Sequence, residues 1–170
     1  MKIRIILFFI LLIPLVFSCQ AENQASKYPD YVGNIEFNPS MDKKDFTLCN
    51  KRHIFQYFND SNGLQYKGEK AELDKIFFKK YKSQNIPDET GLIRIRFVVN
   101  CKGETDRFRI IGMDGNYNSK TFSSKVTDQL MDITKSLNGW IPKKIQGNDV
   151  DFYQYLIFKI ENGNLIEIMP

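Results

Sequence analysis

The chain has 170 residues, with 24 lysines and arginines against 20 aspartates and glutamates, one histidine and a net charge of +4. The charges are interspersed, with no basic block able to neutralise a run of phosphates, which argues against nucleic acid as a partner. One histidine and scattered acids offer no metal-ligand cluster, and no glycine-rich phosphate loop follows a strand, so neither a metal nor a cofactor is expected.

The first segment speaks to the compartment. Lys2 and Arg4 precede an almost wholly apolar run, 5–17, which ends at Ser18-Cys19. The run is shorter than the about 20 residues of a comfortable spanning helix and has the form of a secretory leader. A small residue directly before a cysteine at the end of such a run resembles the lipobox of bacterial lipoproteins. The resemblance implies that residues 1–18 are removed as a signal peptide and that Cys19 is lipidated, carrying acyl chains such as palmitate. The mature chain would then be tethered to the inner or outer membrane of the cell envelope, with its domain in the periplasm or at the cell surface. An uncleaved membrane anchor is the alternative. Without the leader about 150 residues remain, enough for one domain with a real core.

Residues 19–45 are polar and broken by Pro29, Gly33 and Pro39, which reads as a flexible tether with one short extended piece at 34–37. Residues 46–89 read as an N-terminal extension. Its first part, 46–58, is apolar enough to pack without declaring helix or strand, and Asp60-Ser61-Asn62-Gly63 is a turn signal. With Cys19 assigned to lipid, Cys49 and Cys101 form an even pair in an oxidising compartment and are expected to be a disulfide. Closing a loop of about 50 residues would stabilise the fold by about 4 kcal/mol. The competing reading is a reactive thiol, Cys49, one helical turn from His53, for which no orienting group or oxyanion site is visible.

After Gly68 the spacing of Leu73, Ile76, Phe77 and Tyr81 predicts an amphipathic helix, closed by the segment around Pro87. Ile93, Ile95, Phe97 and Val99 alternate with Arg94 and Arg96 as a strand should. A turn at Gly103 leads to a second strand, in which Phe108 and Ile110 alternate with Arg107 and Arg109. The four arginines read either as a solvated strand face or as a cationic patch for an anionic partner or lipid headgroups. Thr121 or Ser123 caps a second helix with the stripe Phe122, Val126, Leu130, Ile133 and Leu137, and Asn138-Gly139 is expected to end it. Residues 152–160 form a third strand, and Asn162-Gly163 should reverse the chain into a short return strand at 165–168. Asp149 and Asp151, like Glu69, Glu72 and Asp74 near a helix start, read as ordinary solvated or helix-terminal charges. The fold class is therefore α+β: a small antiparallel sheet of three to four strands, two helices packed on one face, and an N-terminal helical or irregular extension.

The ordered set of Gly91-Leu92-Ile93, Lys102-Gly103-Glu104, a helix, Trp140-Ile141-Pro142, Gly147 and a closing strand ending Phe158-Lys159-Ile160 resembles the C-terminal domain of TonB, the periplasmic energy-transducing protein of Gram-negative bacteria. The resemblance covers residues 90–170, β-β-α-β in order, and on a lysine- and asparagine-rich lipoprotein it suits the Bacteroidetes. It implies that Trp140 is structural. It also implies that the last long strand, with Tyr153, Tyr155, Ile157 and Lys159, offers its edge to an extended segment of a partner such as a TonB-dependent transporter. The return strand would guard that edge, permanently or until displaced. An exposed edge would also let two copies pair. TonB itself is similar in domain but differs in having a spanning helix and a long proline-rich rod, so energy coupling by the usual route is not expected here. The expected function is non-enzymatic binding linked to transport. The alternative is a structural, small-ligand or cell-wall-binding lipoprotein with the peptide edge closed.

Overall fold

The computed structural model describes residues 33–56 and 63–170. The leader, Cys19, the first part of the expected tether and the turn residues 60–62 lie outside the described residues. The elements in chain order are α1 (Glu69–Lys80), β1 (Gly91–Val99), β2 (Thr105–Met113), α2 (Ser124–Lys135), β3 (Lys143–Ile145), β4 (Asn148–Val150), β5 (Phe152–Glu161) and β6 (Asn164–Met169).

Four strands form one antiparallel sheet in the order β2-β1-β5-β6, and both helices lie on one face of it. The alternation of β1 places Ile93, Ile95, Phe97 and Val99 on the helical side, all fully buried. Leu73 and Phe77 of α1, then Val126, Leu130 and Ile133 of α2, close over them in a single cluster with Phe158 and Ile160 of β5. Burying side chains of this size contributes roughly 1.5–3 kcal/mol each, so this layer dominates the stability of the fold. Acidic residues open α1 and lysines close it, in accord with the helix dipole. Ser123 caps α2 by accepting the Lys125 N–H.

One local expectation is corrected, and one element is new. α2 ends at Lys135, with Ser136 at its C-cap, so Asn138-Gly139 lies beyond the helix and neither residue has positive φ. Gly139 matters by its size instead: a Cβ there would approach the Tyr66 ring to 2.8 Å. The segment after Pro142 contains a separate hairpin, β3–β4, turned by Gln146 and Gly147, both with positive φ, as a two-residue primed turn requires.

The N-terminal residues 33–56 form an irregular strap across the opposite face of the sheet. Ile35 and Leu48 are buried against Val98 and Tyr153, with Phe46 and Ile54 beside them. The tether expected through residue 45 is therefore tied down from about residue 33 onwards. The fold has three layers: helices, sheet and strap.

Gly103 in the β1–β2 turn has φ +80, and its absent Cβ leaves room for the Trp140 carbonyl, which would stand 2.6 Å from such an atom. Trp140 packs edge-on against Phe97 and Tyr66, with ring centroids 5.1 and 4.9 Å away, so the Trp-x-Pro segment is stapled onto the hairpin turn.

Candidate functional site

The strap is held by the arginines of the β1–β2 hairpin. Residues 107 and 108 of β2 together oppose Phe97 of β1, and Arg107 takes φ +59 to make this bulge. The extra residue lets Asp106, Arg107 and Arg109 all reach the strap. Asp106 accepts the Lys43 N–H, Arg107 donates to the Ile35 carbonyl, and Arg109 grips both carboxylate oxygens of Asp42 at 2.8 Å. That hydrogen bond from Arg109 holds the Asp42 carboxyl below its usual value, against the opposing effect of burial.

Arg96 lies over the Tyr153 ring at 4.4 Å, only 2% exposed, and donates to the Gly33 carbonyl. Burial, with Arg94 alongside, lowers its pKa from the ordinary guanidinium value. Arg94 stacks over Tyr155 at the same distance. Arg96, Arg107 and Arg109 therefore fasten the strap and are not a solvated strand face, while Arg94 lies on the Tyr155 ring.

The strap is also fastened covalently. Cys49 and Cys101 are joined, with their Cα atoms 6.0 Å apart. Beside them Asp151 is fully buried, accepting the Asn50 N–H at one oxygen and the Cys101 N–H at the other, at 2.8 and 2.9 Å. The sulfurs and carboxylate of these three residues lie within 4.8 Å of one another. In the oxidised chain the sulfurs bind each other and both oxygens are taken by backbone, so this is a clamp and not a metal cradle. The reading of Asp151 as a solvated charge is corrected accordingly. Nothing in its sequence neighbourhood distinguishes it from exposed Asp149. His53 packs edge-on against Phe55, with centroids 4.2 Å apart, and Cys49 is not a free thiol that it could activate.

The four residues expected at a partner-binding edge share one side of β5, the strap side. Tyr153 is buried, its hydroxyl donating to Asn34 Oδ1 and accepting the Ile35 N–H. Tyr155 lies under Arg94, Ile157 is half-buried, and Lys159 pairs with Glu161 at 3.0 Å. Over 157–161 their strand is covered by the return strand expected as its guard. β1 runs along one flank of β5 from end to end. On the other flank, β6 pairs residues 157–161, and the Tyr153 N–H is taken by the Phe55 carbonyl. The cause is the Asn162-Gly163 reversal, both residues at positive φ, which folds the C-terminus back along β5.

The chain matches no protein-family model, no curated protein and no solved structure.

Among the described residues no helix is long and apolar enough to cross a membrane. β6 ends the sheet with the features that blunt an edge. Ile166 is bulged out of register with β5 and exposed, the charged Glu167 follows it, and Pro170 comes directly after the strand.

Proposed function

We propose that this protein is a lipid-anchored envelope protein whose TonB C-terminal-like domain is a non-enzymatic binding module with its peptide-accepting strand closed by its own C-terminus. The observation that carries the reading is the double flanking of β5. Leu165 and Ile168 of β6 belong to the main core, 8% and 0% exposed. Uncovering the β5 edge means losing both, roughly 3–6 kcal/mol of apolar burial, before any ladder hydrogen bond is counted. A partner peptide would have to replace that as well as bind. The lipid anchor is supported by the Ser18-Cys19 junction and the apolar run before it. A strap clamped by a disulfide suits an oxidising compartment.

A second reading, strand addition to a transporter segment after β6 moves aside, draws on one observation. β6 is short, six residues, and already bulged at Ile166. In that case the transporter segment would meet Tyr155, Ile157 and Lys159.

Two experiments test the reading. Wild-type protein should fractionate with membranes and incorporate labelled palmitate, and Cys19→Ser should abolish both. A photo-reactive residue at Tyr155, placed in cells, should capture no transporter segment if the edge is closed. Repeated capture of one would replace the first reading with the second.

A further inference from the structure

The strap does not fill the whole second face of the sheet. A cavity of about 490 Å³ remains between strap residues 34–37 and 44–54, with Tyr153 and Arg107 in its lining. Its size falls within the range of small-molecule sites.

The charge of its walls is one-sided. Lys44, Lys51, Arg52 and Arg107 line it, with His53, against the single carboxylate of Glu36. Among the described residues Lys44, Lys51 and Arg52 form no ion pair with a carboxylate. Arg107 uses Nη1 on the Ile35 carbonyl, while its buried Nε has no acceptor. The apolar part of the lining is Ile35, Leu48 and the Tyr153 ring, all buried, with Phe46 and Ile54 beside them, while Asn34 and Thr47 add polar groups. Four cations lining one concavity against a single carboxylate give it a positive field, which an anion would answer and the walls would focus.

We propose that this cavity binds a small amphiphilic organic anion, with a phosphate or carboxylate head among Lys51, Arg52 and Arg107 and an apolar body against Ile35, Leu48 and Ile54. For its biological role the inference rests on the closed-edge reading, since it supplies the ligand that such a module would take in place of a peptide. Physically it is separate, because no backbone group of the β5 edge is used.

The probe is 1-naphthyl phosphate, titrated into the mature, oxidised lipoprotein and followed by calorimetry and amide chemical shifts, with neutral 1-naphthol as the comparison. Saturable binding is expected, with shifts confined to residues 34–37, 44–54, 107 and 153, and much weaker binding of naphthol. The exposed double reversal Lys51→Glu/Arg52→Glu should weaken binding at least about tenfold, the equivalent of 1.4 kcal/mol. Lys75→Glu/Lys79→Glu on α1 changes net charge equally and should leave binding unchanged. Dibutyryl phosphatidylglycerol distinguishes the sources of such a head: tighter binding than the naphthyl probe assigns the site to a membrane lipid, and weaker binding assigns it to a free anion. Absence of saturable binding at millimolar probe, equal loss in both double variants, or equal binding of naphthol would each overturn the proposal. Any of these leaves the pairing of β5 with β6 untouched. An opened β6 would instead remove the closed-edge reading and leave the titration standing.

Discussion

Removing the Cys49–Cys101 bridge should cost the domain a large part of its stability without disturbing the clamp around it. The bridge spans a sequence separation of 52. On the chain-entropy model a loop of that length loses about 14 cal/mol/K in the unfolded ensemble, or about 4 kcal/mol at 25 °C. In Cys49→Ala/Cys101→Ala the hydrogen bonds from Asn50 and Cys101 backbone to Asp151 can still form, so the native strap keeps its place and the effect falls mainly on the unfolded state. For a domain of this size about 4 kcal/mol lowers the melting temperature by on the order of 10 °C. Urea unfolding followed by circular dichroism should show a reduced midpoint with an equal or steeper slope, because the native surface is unchanged while the unfolded chain, freed of its cross-link, expands. A loss under about 1 kcal/mol would refute the reasoning, since it would mean that the strap unfolds apart from the sheet and that the bridge constrains nothing the cooperative unit depends on.

The Asp42–Arg109 pair carries a pH dependence. The folded-state pKa of Asp42 is depressed, so its contribution is present above the ordinary carboxylate value near 3.8 and is lost as pH falls through the lower folded value. Stability measured from neutral pH down into strong acid should therefore fall less steeply in Asp42→Asn than in wild type, and parallel curves would refute the pairing. Asp151→Ala leaves two part-buried backbone N–H groups without their acceptor and should cost about 2–5 kcal/mol by denaturant titration. A cost below about 0.5 kcal/mol would mean that water takes over the clamp. Deleting residues 164–170 should destabilise the sheet by about 3–6 kcal/mol from Leu165 and Ile168 alone. The truncated chain should self-associate through the uncovered β5, which sedimentation would show as a concentration-dependent mass.

The helical side of the fold was legible because its signal is periodic. Ile93, Ile95, Phe97 and Val99 announce one buried strand face, and the stripe from Phe122 to Leu137 announces the helix that covers it. Asn162-Gly163 identified the reversal that places β6. The strap was not legible for the opposite reason. It has no regular structure and hence no period, and its attachments are single long-range pairs such as Asp42 with Arg109 and Asp106 with the Lys43 N–H. The arginine alternation of β1 and β2 looks the same in sequence whether the face is wet or covered. Only the bulge at Arg107, a tertiary feature, brings three successive polar side chains toward the strap. The small hairpin β3–β4 is not legible in the sequence because Gln146-Gly147 lacks the Asn-Gly or Asp-Gly signature.

The central claim is that β5 is closed by the chain itself, and native-state hydrogen exchange of the oxidised protein tests it most directly. The Tyr153 N–H points away from β1 toward Phe55, so by alternation those of Ile157 and Lys159 point toward β6. If the edge is closed, these two amides exchange only through global unfolding, at the same free energy as the fully buried amides of β1. Exchange of Ile157 and Lys159 at a free energy several kcal/mol lower, with β1 still protected, would contradict the account and describe a strand that opens to receive a partner.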